Sequence, residues 1–439
     1  MIVPSFVIAT LLSGSPCPGC LPALSDGPAA EVRQENPHRE EVRRLARHPR
    51  VSEAMRLIEA QDEATMADLI ELTQIPAPPF MEEARGRRFL EKLRELGVDT
   101  AWVDEEGNVI ARRRGRDGDR VVAVSGHLDT VFPEGTDVTV RQRGDTLFAP
   151  GVADDTRGLA AVLAILRAMN AADVETEADL LFIGTVGEEG LGDLRGMKHL
   201  FRDGGPRIDA FISIDGAGVG NIVHMALGSH RYRVTFRGPG GHSWGAFGLA
   251  NPAHALGRSI QHFDVAADAF TSSGARTSYN VGVIGGGTSV NSIPFEAWME
   301  VDMRSESQDR LVQVDSIFQT AMRRALEESN ATRREGEPLE LDVDLIGDRP
   351  SGEIPITDPF VQRTTAAALE LGIEPDLGRS STDSNIPISM GIPALTLDGG
   401  GVGGRAHSLD EWFINRNGPL GIQHALLTLL AQAGVTPVG

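Results

Sequence analysis

Cysteine is nearly absent from this chain of 439 residues: only Cys17 and Cys20 occur, both within SPCPGC near the start. No disulfide framework can support the fold, and no Cys-rich zinc site can form. The CxxC pair reads as a Pro/Gly turn in a leader rather than a redox motif, which would need a βα context. Basic charge is also in deficit, with 41 Lys and Arg against 62 Asp and Glu for a formal net charge of −21. Neutralising phosphates takes a basic stripe, and the run Arg112 to Arg116 is short and set in acidic surroundings, so nucleic acid is excluded as a partner. Long apolar stretches are missing too. Nothing beyond the N-terminal segment approaches the ~20 apolar residues of a membrane span.

What the chain does have is an ordinary globular balance, 41% apolar and 23% charged, with a surplus of glycine at 50 residues. Residues 2 to 12, IVPSFVIATLL, form an apolar run of signal-peptide length, and Ala23-Leu24-Ser25 offers small residues at a cleavage point. The basic n-region is missing, since the first positive side chain is Arg33. Export to the periplasm or medium is the expectation, with a cytoplasmic protein as the alternative.

Periodicity then divides the chain. From Glu31 to about Leu96 the pattern is helical, with Val51, Met55 and Ile58 and then Met66, Leu69 and Ile70 on one face, broken at Pro76, Pro78 and Pro79. Short apolar strands alternate with amphipathic helices afterwards: NVIARRRG, VVAVSG, TRGLAAVLAILRAMN, LLFIGTVG and AFISIDG. That alternation predicts an α/β sheet covered on both faces. From Ser229 the texture becomes β-α-β-β-α-β, the ferredoxin-like order, before the α/β pattern resumes with ALTLDG and a closing helix. The expected division is a leader over 1–50, a catalytic domain over 51–228 and 348–439, and an inserted lid or dimerisation domain over 229–347.

Several strands lead into acidic or imidazole groups, and ligands of open α/β sheets bind beyond the carboxyl ends of the strands. His127 and Asp129 follow VVAVSG, where a carboxylate two residues on can hold the second ring nitrogen and leave the first for a metal. Asp154 and Asp155 open a helix; one carboxylate suffices as a cap, and a second can bridge two cations. Glu188 and Glu189 stand adjacent after LLFIGTVG, where repulsion calls for a cation or a proton, so one is a ligand and the other a base. Asp215 follows AFISI, and His407 follows a glycine run. Imidazole and carboxylate without thiolate suit Zn²⁺ with open positions, and two such ions form a recognised hydrolytic device.

The order GHLDT, GVADDTRG, GEEG, SIDG, GGHS and AHSLDE resembles the M20 family of dinuclear zinc metallopeptidases and amidohydrolases, from about residue 52 to the C-terminus. The resemblance implies a mixed central sheet of zinc-exopeptidase type with a ferredoxin-like α+β insertion. It also implies Asp154 bridging two Zn²⁺ ions (Co²⁺ or Mn²⁺ as alternatives), His127 and Asp215 completing one site, and Glu189 and His407 the other. Glu188 would be the general base and Asp129 would orient His127. In the insertion, His242 of GPGGHSWG resembles the histidine that stabilises the oxyanion, commonly in the partner subunit of a homodimer. Asn291 and Arg304 match positions that bind substrate polar groups, Arg304 by gripping a carboxylate; an ion pair of Arg304 with Asp302 or Glu306 is the alternative. Thr156-Arg157-Gly158 departs from the Lys-Gly of the family, read as a change in helix packing. SSTDSNIPISMGIP and the Asp at 215 look nearest to the peptidase T-like group. The implied activity is hydrolysis of short peptides, with deacylation of N-acyl or N-carbamoyl amino acids as one alternative and a non-catalytic binding protein as another.

Overall fold

A computed structural model describes residues 36–437. The apolar run 2–12, Ala23-Leu24-Ser25 and the Cys17/Cys20 pair lie outside the described residues. The helical N-terminal pattern resolves into Arg39–Ala46, Pro49–Ala60, Asp62–Thr73 and Glu83–Leu96. Pro49 opens its helix at a position where no amide partner is needed. The first of these helices falls inside the stretch read as a leader, yet it buries Val42 completely in the main core.

A nine-stranded mixed sheet organises the chain. Its central strands Val121–His127, Asp179–Thr185, Ala210–Ile214 and Ala394–Leu397 run parallel to their neighbours in this group. Val109–Arg113 and Thr100–Val103 extend one side antiparallel. Along the central strands successive side chains enter opposite cores. Val122, Val124, Leu180 and Phe182 join the core beneath helices Thr156–Ala171 and Gly418–Ala433, while Ala123, Leu181 and Ile183 join that of Met197, Leu200 and Val361. Burial on both faces is why these strands read as unbroken apolar runs; each fully buried Leu, Ile or Phe contributes roughly 1.5 to 3 kcal/mol. Asn221–Ala226 and Asp376–Ser380, parallel to each other in the same sheet, carry weaker apolar signals and escaped the sequence reading.

A separate four-stranded antiparallel sheet orders its strands Thr277–Gly286, Glu296–Ser305, Gly228–Arg237, Glu340–Arg349. With helices Pro252–Thr271 and Gln308–Ala331 between them in sequence, this is the β-α-β-β-α-β topology expected. Glu296–Ser305 alternates strictly, sending Ala297, Met299, Val301 and Met303 toward the helices. Phe318 locks the layer, stacked 4.9 Å from Tyr232 and edge-on 5.3 Å from Phe263. The side chain of Asn251 caps the first helix by accepting from the Ala253 amide at 2.9 Å.

A small sheet of Val402–Gly404, Trp412–Ile414, Thr146–Phe148 and Arg141–Arg143 joins two segments far apart in sequence. No helix among the described residues is long and apolar enough to cross a membrane.

Candidate metal centre

Because Val121–His127, Asp179–Thr185 and Ala210–Ile214 are parallel, their carboxyl ends share one edge, and His127, Glu188, Glu189 and Asp215 arrive there together. Helix Thr156–Ala171 begins at the same edge. Its approach depends on glycine: a Cβ at Gly158 would lie 2.3 Å from the Ile214 carbonyl oxygen, and one at Gly126 would lie 2.7 Å from the Leu159 nitrogen.

The adjacent aspartates, joined by a cis peptide, divide their work. Asp155 is fully buried and accepts from the amides of Gly158 (2.9 Å), His127 (3.0 Å) and Gly216 (3.1 Å), capping the helix and tying it to two strand ends. Asp154 faces the cleft. Its Oδ1 lies 3.0 Å from His127 Nε2 and its Oδ2 lies 3.0 Å from His407 Nε2, so one carboxylate spans both imidazoles. His407 Nε2 is also 2.9 Å from Glu189 Oε1. Ligand atoms of His127, Asp154 and Glu189 all fall within 4.8 Å of one another.

Asp129 organises this group from beneath. Its carboxylate accepts from the amides of Glu188 (3.0 Å) and Glu189 (2.8 Å), fixing the turn that carries both glutamates. The nearer contact to His127 Nδ1 is the Asp129 backbone carbonyl at 3.0 Å, with a carboxylate oxygen at 3.6 Å. Glu188 Oε1 accepts from Arg349 Nη1 at 3.0 Å, and the Glu188 carbonyl accepts from Arg349 Nη2.

A cleft of about 390 Å³ opens onto these groups, lined by Asp154, Glu188, Glu189, Asp215 and His407 together with Arg231, Arg304 and Arg349. Asp302 lies between two of the arginines, 3.0 Å from Arg231 Nε and 2.8 Å from Arg304 Nε; Arg231 Nη1 also donates to the Gly190 carbonyl at 3.3 Å. Arg304 therefore makes the ion pair and lines the cleft as well.

Burial pushes Asp215 up to about 7, reinforced by Asp154 nearby, and its carboxylate accepts no hydrogen bond from the described residues. Burial also raises Glu188, against the opposing pull of Arg349 and with Glu189 adding to it. Hydrogen bonds to Asp154 and Glu189 lift His407 to about 10. For His127, burial opposes the charged form, but hydrogen bonds to Asp129 and Asp154 win and raise it well above its ordinary value. Imidazoles and carboxylates thus satisfy one another by sharing protons. The same atoms serve a cation once the imidazoles are neutral: nitrogen and carboxylate donors, no thiolate, and an open cleft are the set a divalent transition ion takes.

His242 and Asn291 do not line this cleft. They lie on a short ribbon that pairs His242 with Ser292; His242 is exposed, and its Nδ1 accepts from the amides of Trp244 (3.3 Å) and Gly245 (3.2 Å). Asn291 accepts from Ser289 Oγ at 2.7 Å.

Sequence reasoning missed four residues. Arg349 and Arg231 carry no motif signal. Glu411, within the quoted AHSLDE, is fully buried and accepts from three amides of the Asp154 loop; burial lifts it to about 7. Arg157 does more than adjust packing: fully buried, it donates to the carbonyls of Gly399 (2.7 Å) and Gly418 (3.0 Å), anchoring the glycine run to the last helix. A charged residue inside an otherwise apolar helix was the available clue.

The model of Peptidase family M20/M25/M40 matches residues 123–431. A Pyrococcus abyssi protein carrying the provisional name [LysW]-lysine/[LysW]-ornithine hydrolase is 32% identical over 169 residues, 38% of this chain and 45% of that protein, so the match spans under half of that relative. The succinyl-diaminopimelate desuccinylase of Corynebacterium glutamicum is 28% identical over 366 residues, 79% of this chain and 92% of that enzyme. Among solved structures, aminopeptidase PepT of Bacillus cereus superposes with a TM-score of 0.67 at 21% identity, covering 84% of this chain and 98% of that one, a likeness of fold.

Proposed function

The chain belongs to peptidase family M20/M25/M40, and from that premise we propose that it is a two-metal hydrolase cleaving amide bonds of short peptides. Zn²⁺ is the proposed ion. The observation that carries the reading is the single carboxylate of Asp154 spanning two imidazoles in a cleft that three arginines also line.

Asp154 would bridge, His127 and Asp215 would hold one ion, and Glu189 and His407 the other. Divalent ions so held supply carbonyl polarisation and lower the pKa of water. Glu188, next to these ligands and held by Arg349, takes the proton of the attacking water and returns it to the leaving amine. Asp129 fixes the turn of both glutamates and, through its carbonyl, the His127 tautomer. Arg304, with Arg231 braced on the same Asp302, grips the free carboxylate of the substrate in bidentate fashion. His242 and Asn291, which do not line the cleft of their own chain, would act in the cleft of a second copy, His242 on the developing oxyanion. That role makes the inserted domain over 229–347 a lid and dimerisation domain.

A second reading, removal of an acyl group from an amino acid, is favoured by the desuccinylase relative, which aligns over most of both chains. The metal-loaded enzyme should be assayed against di- and tripeptides, their C-terminal amides, and N-acetyl, N-succinyl and N-carbamoyl amino acids. Peptide turnover with KM raised tenfold or more by C-terminal amidation is the expected result. Turnover of acylated amino acids alone selects the second reading, and no turnover of any member refutes both.

A further inference from the structure

Glu411 does not line the cleft, yet it sits between the two chain segments that deliver Asp154 and His407. Its Oε1 accepts from the amides of Ala153 (2.8 Å) and Asp154 (3.0 Å), and its Oε2 accepts from the amide of Gly151 (2.8 Å). The main chain repeats the link, the Glu411 carbonyl accepting from the Ala149 amide at 3.2 Å. Directly after it, Trp412–Ile414 pairs antiparallel with Thr146–Phe148. On its other side, the Glu411 amide donates to Ser408 and the Ser408 amide to Arg405, a tight pair of turns around His407, whose φ of 64° is left-handed.

We propose that Glu411 is a positioning residue that clamps the Asp154 loop to the His407 loop, so that retention of the second divalent ion depends on it. The inference rests on the two-metal reading above. The loop from Gly151 to Asp154 belongs to neither a helix nor a strand, and Gly151 turns it at φ 79°. Buried amides without a partner are costly, and here one carboxylate satisfies three of them. Only an acceptor on both oxygens fits. A glutamine would present its NH₂ to an amide that already donates, leaving one donor opposed to another. The partners are 257 to 260 positions apart in sequence, so the clamp also closes the site across the whole catalytic fold. Loosening it frees the loops bearing Asp154 and His407 from each other, while His127 and Asp215 stay held at the ends of their own strands.

The test compares the full chain with Glu411→Gln, each loaded with Zn²⁺ and, separately, Co²⁺. Bound metal is counted after desalting, and affinities are read by chelator competition. Wild type should hold two ions. The variant, folded by circular dichroism, should hold one and bind the second about 10- to 100-fold more weakly, with loss of the visible absorption of the second Co²⁺. A folded Glu411→Gln chain that holds both ions at wild-type affinity overturns the proposal. Hydrogen exchange on the wild type decides independently of the variant's folding: slow amides at Gly151, Ala153 and Asp154 support the clamp, and exchange at the rate of exposed loops overturns it. Wild type binding no divalent ion refutes the metal reading instead, and that outcome is separable because the exchange result does not depend on metal.

Discussion

Replacing Glu188 by Gln removes one charge and one proton acceptor while leaving size and shape unchanged, and the structure gives two consequences of opposite sign. Glu188 is 6% exposed and Arg349, its ion-pair partner, is 4% exposed. Arg349 keeps its bonds to the Glu188 carbonyl and to Ser381 Oγ in the variant, so the guanidinium is not orphaned. In the ion-free chain burial disfavours the charged carboxylate, and this, with repulsion from Glu189 and Asp215, prevails over the attraction of Arg349 and His127. A group raised in this way opposes folding at pH values above its unfolded-state pKa. The amide should therefore raise the melting temperature of the ion-free protein at pH 7, and the gain should vanish as pH falls below about 4, where the carboxyl is protonated in both states. Catalysis moves the other way. Loss of a general base costs about 10²- to 10⁴-fold in kcat, or roughly 3 to 5 kcal/mol of barrier, with metal content unchanged. Thermal melts in chelator, metal analysis and steady-state kinetics read the three quantities. Turnover within tenfold of wild type, or an ion-free variant that melts below wild type, refutes the reasoning.

Mixing tests the trans role of His242. His242→Ala and Glu188→Gln homodimers should each be nearly inactive, and subunit exchange between them should restore about a quarter of wild-type activity, since half the dimers are mixed and each carries one intact site. A cis role predicts no recovery. Arg304→Gln should raise KM for substrates with a free carboxylate about 10- to 100-fold, the worth of a charge-assisted hydrogen-bond pair of roughly 1.5 to 3 kcal/mol, and leave amidated substrates unaffected. Arg231→Gln should give a smaller effect in the same assay. His424, buried against the Thr364 carbonyl, is lowered by that burial from its ordinary 6.5 to about 4. Its neutral form is the folded one, so its contribution is complete above pH 6.5 and is lost as pH falls toward 4, about 2 to 3 kcal/mol by pH 4.5. Urea unfolding at pH 7 and 4.5 should show wild type losing about 2 to 3 kcal/mol more than His424→Gln, and an equal change in the two proteins refutes the assignment.

Legibility in sequence followed the range over which each feature is encoded. Glu296–Ser305 is legible because one face is buried and the other wet, an alternation that a single strand carries by itself. Asp376–Ser380 is not, because its half-exposed DLGRS has neither alternation nor an apolar run, and it forms only through pairing with Asn221–Ala226. The helices around Val51 and Met66 were visible by period, but their division at Gln61, where one helix ends and another begins, follows from how they pack on the core.

For the site, residue types and their order along the chain were enough to single out His127, Asp154, Glu188, Glu189, Asp215 and His407, because metal and proton chemistry restrict the side chains that can serve. The family resemblance then assigned their roles. Tertiary structure alone decided which oxygen of Asp154 meets which imidazole, that Asp155 caps while Asp154 faces the cleft, and that Arg349 holds Glu188. It alone also left His242 and Asn291 out of the lining of their own cleft and put Glu411 under the Asp154 loop. These are contacts between segments up to 260 residues apart. No local pattern encodes them, because a buried carboxylate or guanidinium finds its partner only when the sheet edge brings their strands and loops together.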